Sequence, residues 1–214
     1  MNRRSALTAL GSIGAGTLAG CVGVPRSISS DSSPESDSDN HTVSLDSQYA
    51  VPSKYGMEIS VEVLEPEFTA EHPAKIQITT TNNGDKRFLS TGADRCYLFN
   101  RSQGGSDDPS GLWLHDPNAS EYIDRKGDRW VADTPPHEPR GFASYGCMMK
   151  QYEGGASVTK EYEIWDDYRV SGYLEPGTYR WEETVRISPE ESASSTDSTE
   201  SFSWWFALQL KHDG

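Results

Sequence analysis

The chain has 214 residues, 34% of them hydrophobic, and carries 33 acidic against 19 basic residues, for a formal net charge of −14. A chain of this length can bury a sizeable core of its own. The acidic excess argues against nucleic acid as a partner, because a phosphate backbone requires clustered Lys and Arg, whereas the basic residues here are scattered among acids.

The N-terminal segment predicts export. Arg3 and Arg4 precede an uncharged run over residues 7–19, which is the basic and apolar pattern of an export signal. The run is too short to cross a bilayer, since a spanning helix takes roughly 20 apolar residues. We therefore expect residues 1–20 to be a signal peptide that is removed. The arginine pair resembles a twin-arginine signal, and Leu-Ala-Gly-Cys at residues 18–21 resembles a lipobox.

The lipobox resemblance implies that a diacylglyceryl group is attached to Cys21 and that the chain is cut before it. A two-chain lipid holds a protein firmly on a membrane, so we expect the mature protein on the outer face of the cytoplasmic membrane. The alternative is an ordinary apolar segment with a chance cysteine.

The acidic excess, the few lysines and the signal together resemble a secreted protein of a salt-loving archaeon. From this resemblance we expect marginal folding at low ionic strength, where charge repulsion is poorly screened. The alternative is an acidic surface that only keeps the protein soluble.

Residues 21–48 are rich in Ser, Asp, Glu, Pro and Asn. A segment with so little apolar surface cannot offset the entropy of ordering. It is predicted to be a disordered acidic tether that leads to a domain over residues 49–214.

That domain shows apolar residues with period two, which is typical of half-buried strands. Strands are predicted near residues 57–63, 75–81, 96–99, 112–115, 146–149, 158–165, 179–187 and 202–210. No long stretch has a helical period. Seven to nine one-sided strands predict an all-β antiparallel sandwich, and residues 101–139, rich in Gly, Pro, Asp and Ser, predict a long loop insertion.

Residues 174–179, Leu-Glu-Pro-Gly-Thr-Tyr, resemble the tyrosine corner of immunoglobulin-like domains, in which a Tyr returns its hydroxyl to the corner backbone. With Thr-Asn-Asn-Gly-Asp at 81–85 and Tyr-Glu-Ile-Trp-Asp-Asp at 162–167, they resemble the bacterial intracellular-proteinase-inhibitor type of immunoglobulin-like domain over roughly residues 57–210. The resemblance implies an immunoglobulin-like sandwich and protease inhibition as one possible activity. The insertion and the export signal depart from it, and it supplies no inhibitory residue.

With Cys21 assigned to lipid, Cys96 and Cys147 remain. An exported protein with two cysteines most simply pairs them, so a disulfide is predicted. The alternative is two buried thiols that behave as small hydrophobes.

No residue set in the chain specifies a reaction. His115-Asp116 could be half of a hydrolytic triad, but no Gly-x-Ser-x-Gly turn accompanies it. Cys147-Met148-Met149 with a His offers copper ligands, but the spacing of a blue-copper loop is missing. We therefore expect no enzyme, no cofactor and no metal.

The six tryptophans are many for a chain of this size. Four of them are candidates for an exposed ligand-binding patch: Trp113, Trp130, Trp165 and Trp205. The alternative is that the insertion or a sheet edge covers them. The preferred function is a non-catalytic binding module, with membrane lipid and an unknown extracellular protein or glycan as partners. An inhibitor of an extracellular protease and a carbohydrate- or small-ligand-binding module are the alternatives.

Overall fold

A computed structural model of the chain describes residues 41–90, 104–118, 123–138, 149–189 and 200–212. Nine β-strands and one short 3₁₀ turn, Ser53–Tyr55, make up the regular structure of this part. The strands are β1 (His41–Gln48), β2 (Met57–Glu65), β3 (Lys75–Asn82), β4 (Arg87–Ser90), β5 (Leu112–His115), β6 (Lys150–Tyr152), β7 (Ser157–Asp166), β8 (Gly177–Ser188) and β9 (Glu200–His212).

The strands form two antiparallel sheets, in the orders β1-β9-β8-β4-β6 and β2-β3-β7-β5. The prediction of an all-β immunoglobulin-like sandwich is confirmed. Strands β2, β3 and β7 take the places of A, B and E, and β4, β6, β8 and β9 take those of C, C′, F and G. The place of strand D is filled by β5. This strand lies within the long insertion and therefore precedes β6 in the chain. Strand β1 adds an edge beside β9.

The core lies between the sheets and is built from the period-two faces that the sequence shows. The predicted inward residues of β8 and β9 are buried, and the rings of Trp181 and Phe206 stack with centroids 5.0 Å apart. These are Tyr179, Trp181, Val185 and Ile187 in β8, and Phe202, Trp204, Phe206, Leu208 and Leu210 in β9. Both predicted strands are therefore confirmed, with ends extended by a few residues.

The predicted tyrosine corner is present. The hydroxyl of Tyr179 donates to the carbonyl of Glu175 at 2.5 Å. The ring lies so close to Gly111 that a Cβ there would meet it at 2.9 Å. Within the same corner, Leu174 has φ of 47°, and its N–H donates to the buried carboxylate of Asp166 at 2.8 Å. A leucine in the left-handed region is strained, and this hydrogen bond helps to hold it.

The predicted turn at residues 82–85 joins β3 in one sheet to β4 in the other. Asn82 is fully buried, and its side-chain amide donates to the carbonyls of Asp85, Tyr152 and Glu153 while its oxygen accepts the N–H of Gly84. A single side chain thus ties three segments together, and an unpaired amide at this depth would be costly.

The prediction that the tether extends to residue 48 is wrong at its C-terminal end. Residues 41–48 form β1, and Val43 and Leu45 lie opposite Leu210 and Leu208 of β9. Val43 is 2% exposed. Two apolar residues two positions apart suffice to add an edge strand when β9 already offers a buried face.

Backbone hydrogen bonds join the two sheets along one side of the sandwich, which we call the β1 seam. The N–H of Val43 donates to the carbonyl of Pro66, and the N–H of Phe68 donates to the carbonyl of His41. Pro66 and Phe68 follow β2, so this seam connects the edge of the first sheet to the chain that leaves the second.

A second set of bonds, the insertion seam, joins the sheets through residues 104–108. Asp107 donates its N–H to the carbonyl of Arg180 in β8, and Leu114 in β5 donates its N–H to the carbonyl of Gly104. The predicted strand at residues 112–115 is confirmed as β5. The predicted strand at 96–99 lies outside the described residues, as does most of the one at 146–149.

Candidate functional site

A cavity borders the insertion seam, and we call it the seam cleft. Its volume is about 590 Å³. Three segments form its walls: residues 104–110, the turn after β7, and the middle of β8. Its lining residues are Gly105, Ser106, Asp107, Ser110, Pro136, Asp167, Arg169, Val170, Glu182 and Glu183.

The first wall is fixed by bonds at both of its ends. Asp107 and Asp108 pair with Arg180 through two backbone hydrogen bonds of 2.8 and 3.0 Å. The indole N–H of Trp181 donates to the carbonyl of Gly104 at 2.8 Å from inside the core. The hydroxyl of Ser106 accepts the N–H of Leu112 at 3.2 Å. This wall is therefore rigid, although it belongs to a loop.

Asp167, at 1% exposure, forms the base of the second wall. Its N–H donates to the carbonyl of Gly111, its carboxylate accepts the N–H of Arg169 at 3.2 Å, and its carbonyl accepts the N–H of Val170 at 2.8 Å. The neighbouring Asp166 points the other way, into the corner. Adjacent side chains along an extended chain project to opposite faces.

Burial raises the pKa of Asp166 to about 6. The hydrogen bond from the N–H of Leu174 opposes this rise, and the negative charge of Asp167 adds to it. The carboxylate is only 7% exposed, so water solvates its charge poorly. A titrating group thus lies directly behind the seam cleft.

Four carboxylates and one guanidinium, that of Arg169, line the cleft. The charge of Glu182 is compensated: Nη2 of Arg180 lies 2.6 Å from its Oε2, and the hydroxyl of Ser203 donates to its Oε1. Its backbone N–H donates to the carboxylate of Asp107 at 2.8 Å. The remaining excess of negative charge favours ligands that are cationic or rich in hydrogen-bond donors.

The lining residues are mostly acidic or small. None of the lining residues that the structure describes is His, Cys or Lys. The hydroxyl of Ser106 accepts the N–H of Leu112. Across the described ranges, no group of three His, Cys, Asp or Glu side chains could hold a metal ion.

The prediction of one exposed aromatic patch is wrong. Trp113 and Trp165 are 1% and 4% exposed and lie in a second apolar cluster, beneath residues 123–138 of the insertion. Trp130 is half-buried at the margin of this cluster, with its ring 5.8 Å from that of Trp165. Trp205 lies apart on the outer face of the other sheet, where the guanidinium of Arg180 is 4.5 Å from its ring centre. The alternative, that the insertion covers these rings, is confirmed for Trp113 and Trp165.

His115 belongs to the same cluster. Its ring stacks on Trp165 at 4.5 Å, and its Nδ1 lies 3.3 Å from the carboxylate of Glu163. Burial alone would raise the pKa of Glu163, but hydrogen bonds from His115 and from the indole of Trp165, with the charges of His115 and Lys75, hold it below its usual value. His115 is thus engaged in packing β5 against β7.

Several predicted residues lie outside the described part of the chain. They are Arg3 and Arg4 of the signal, the lipidation residue Cys21, and the disulfide pair Cys96 and Cys147. These assignments remain predictions. Within the described residues, no helix has the length and apolar character needed to cross a membrane.

The seam cleft itself was missed by the sequence reasoning. Its acids come from residues 107, 167, 182 and 183, which the fold brings together from three segments. The sequence signal was limited to the adjacent pairs Asp166-Asp167 and Glu182-Glu183, which in strands point to opposite faces and therefore do not suggest a common site.

Comparison with known proteins adds no assignment, because the chain matches no family model, no curated protein and no solved structure.

Proposed function

We propose that the protein is a non-catalytic binding module, held on the outer face of the cytoplasmic membrane by lipid on Cys21, and that the seam cleft receives its ligand. The arginine pair, the apolar run and the lipobox-like residues 18–21 support the anchoring. The observation that supports binding is the cleft: about 590 Å³, with walls fixed by backbone hydrogen bonds. That volume lies within the range of small-molecule sites.

The ligand of this cleft carries amino groups or another cation. Asp107, Glu183 and Asp167 outweigh the single Arg169 in the lining, and a concave surface with one sign of charge concentrates the opposite sign. Small polyamines and basic peptide segments both have this chemistry. A largely polar lining also offers little to a purely apolar ligand.

Trp205 favours a second candidate, a glycan. It lies opposite Glu182 in the pairing of β8 with β9, so an indole face lies beside a carboxylate that borders the cleft. Sugars stack on indole faces while their hydroxyls donate to carboxylates. Arg180 would have to leave the ring for a sugar to occupy it.

The anchoring is tested with Cys21→Ser. We expect this variant to appear in the medium, whereas Cys96→Ser, which removes a cysteine elsewhere, should stay with the membrane fraction. A Cys21→Ser protein that remains wholly membrane-bound would refute the lipid anchor.

The binding site is tested by titrating the full chain with spermine, a lysine-rich peptide and a neutral chito-oligosaccharide, followed by calorimetry. We expect the cationic probes to bind. The double variant Asp107→Asn with Glu183→Gln should lower their affinity at least tenfold, because it removes negative charge from the cleft. Glu62→Gln combined with Glu161→Gln, exposed on the other sheet, removes the same charge and serves as control.

If both double variants lose the same affinity for the cationic probes, net charge alone attracts these probes, and the assignment of the cleft as the binding site is overturned. Binding of the oligosaccharide that depends on Trp205 would favour the glycan. Slowed cleavage of a substrate by an extracellular protease would favour the inhibitor alternative.

A further inference from the structure

Two histidines face each other at one end of the first sheet. His41 of β1 lies directly opposite His212 of β9, and their ring centroids are 5.0 Å apart with planes tilted by 35°. His41 is 5% exposed, and the rings of Phe68 and Tyr173 contact it edge-on at 6.3 Å each. His212 is exposed. One ring is thus packed inside the body, and the other lies at its surface.

We propose that His41 and His212 together bind a borderline divalent metal ion such as Zn²⁺, Ni²⁺ or Cu²⁺. Imidazole prefers these ions to Mg²⁺ or Ca²⁺. A metal ion about 2.0–2.1 Å from one nitrogen of each ring lies about 3.2 Å from each ring centre, so a tetrahedral angle separates the centres by about 5 Å. The observed separation of 5.0 Å agrees with this value.

The chelate has two protein ligands, and water completes the coordination. Strand β1 is where the described body begins, and β9 is its last strand. A bound metal ion would therefore join the two ends of the body, and it would stabilise the folded state in proportion to the logarithm of metal concentration over Kd.

The site is tested by thermal unfolding of the full chain with increasing ZnCl₂ or NiCl₂, with MgCl₂ as the hard-cation control. We expect Zn²⁺ and Ni²⁺, but not Mg²⁺, to raise Tm. His212→Gln, an exposed substitution, should leave the metal-free Tm nearly unchanged and raise the apparent Kd at least tenfold. His41→Gln should do the same to the affinity, with some loss of metal-free stability because the ring is buried.

His72→Gln is the matched control, because His72 lies apart from the pair, 2.9 Å from Glu65, and its loss should leave the affinity unchanged. Cu²⁺ bound to the wild type should show coupling to two imidazole nitrogens by electron paramagnetic resonance, and one nitrogen in either single variant. The proposal is overturned by a wild type without a metal-dependent shift at millimolar metal, by an unchanged affinity in His212→Gln, or by a copper spectrum without nitrogen coupling.

Discussion

Asp166→Asn isolates the effect of one buried carboxyl on stability. The Asp166 carboxylate is 7% exposed and accepts the N–H of Leu174 at 2.8 Å. Burial raises its pKa from an ordinary value of 3.8 to about 6. Asparagine has the same shape and keeps an oxygen for Leu174, but it does not titrate.

The direction in which pH changes the stability follows from the raised pKa of Asp166. Below about pH 4 the carboxyl is protonated in both states, and between pH 4 and 6 the folded state keeps a proton that the unfolded chain releases. This contribution to stability is therefore fully present below pH 4 and lost as the pH rises through 6. A rise in the pKa from 3.8 to about 6 corresponds to about 2 to 3 kcal/mol in the free energy of unfolding, allowing for partial solvation. The amide has no ionised form, so the variant should escape this loss.

Urea unfolding of both proteins at several values between pH 4 and 8 gives the test. We expect nearly equal stability at pH 4 and an advantage of about 2 kcal/mol for Asp166→Asn at pH 8. Asp46→Asn, exposed on β1, controls for the loss of one negative charge. A stability difference that does not change with pH, or an Asn variant that is weaker at pH 8, would refute the assigned role of Asp166.

Three other predictions concern the corner, the aromatic cluster and salt. Tyr179→Phe removes the bond to Glu175 and should lower the free energy of unfolding by about 1 kcal/mol, measured by urea titration; an unchanged midpoint would contradict it. Trp165→Ala should lower the free energy of unfolding by about 3–5 kcal/mol because the indole is buried, and Trp205→Ala should lower it much less. Equal losses of stability in chemical unfolding would contradict the described burial. A net charge of −14 predicts a higher Tm in molar salt than in dilute buffer, and scanning calorimetry that gives one Tm in both would count against it.

Strands with one clearly apolar face were predictable from the sequence. In β8 and β9 the alternation continues over nine residues or more, and the corner residues 174–179 have a turn chemistry that is readable locally. Strand β1 was not predictable from the sequence, because Val43 and Leu45 lie in a Ser- and Asp-rich segment whose composition indicates disorder. Its partner, β9, lies at the far end of the chain.

The environment of each face was not predictable. Alternation places Trp165 opposite Tyr162 and Ile164, and so outside the main core, but it cannot show that residues 123–138 fold back over it. The same limit applies to the seam cleft, because its acids meet only through the pairing of residue 107 with β8 and the contact of Asp167 with Gly111. Long-range contacts from an irregular insertion leave no periodic signal.

The two seams have a consequence for how copies of the protein meet. Sheet edges with unpaired N–H and C=O groups invite a strand of another molecule, and aggregation often begins there. At His41, Val43, Gly104 and Leu114 those groups are already bonded across the sandwich. Crowded copies therefore cannot lengthen their sheets through the backbone groups at these positions, because each is already hydrogen-bonded within its own molecule.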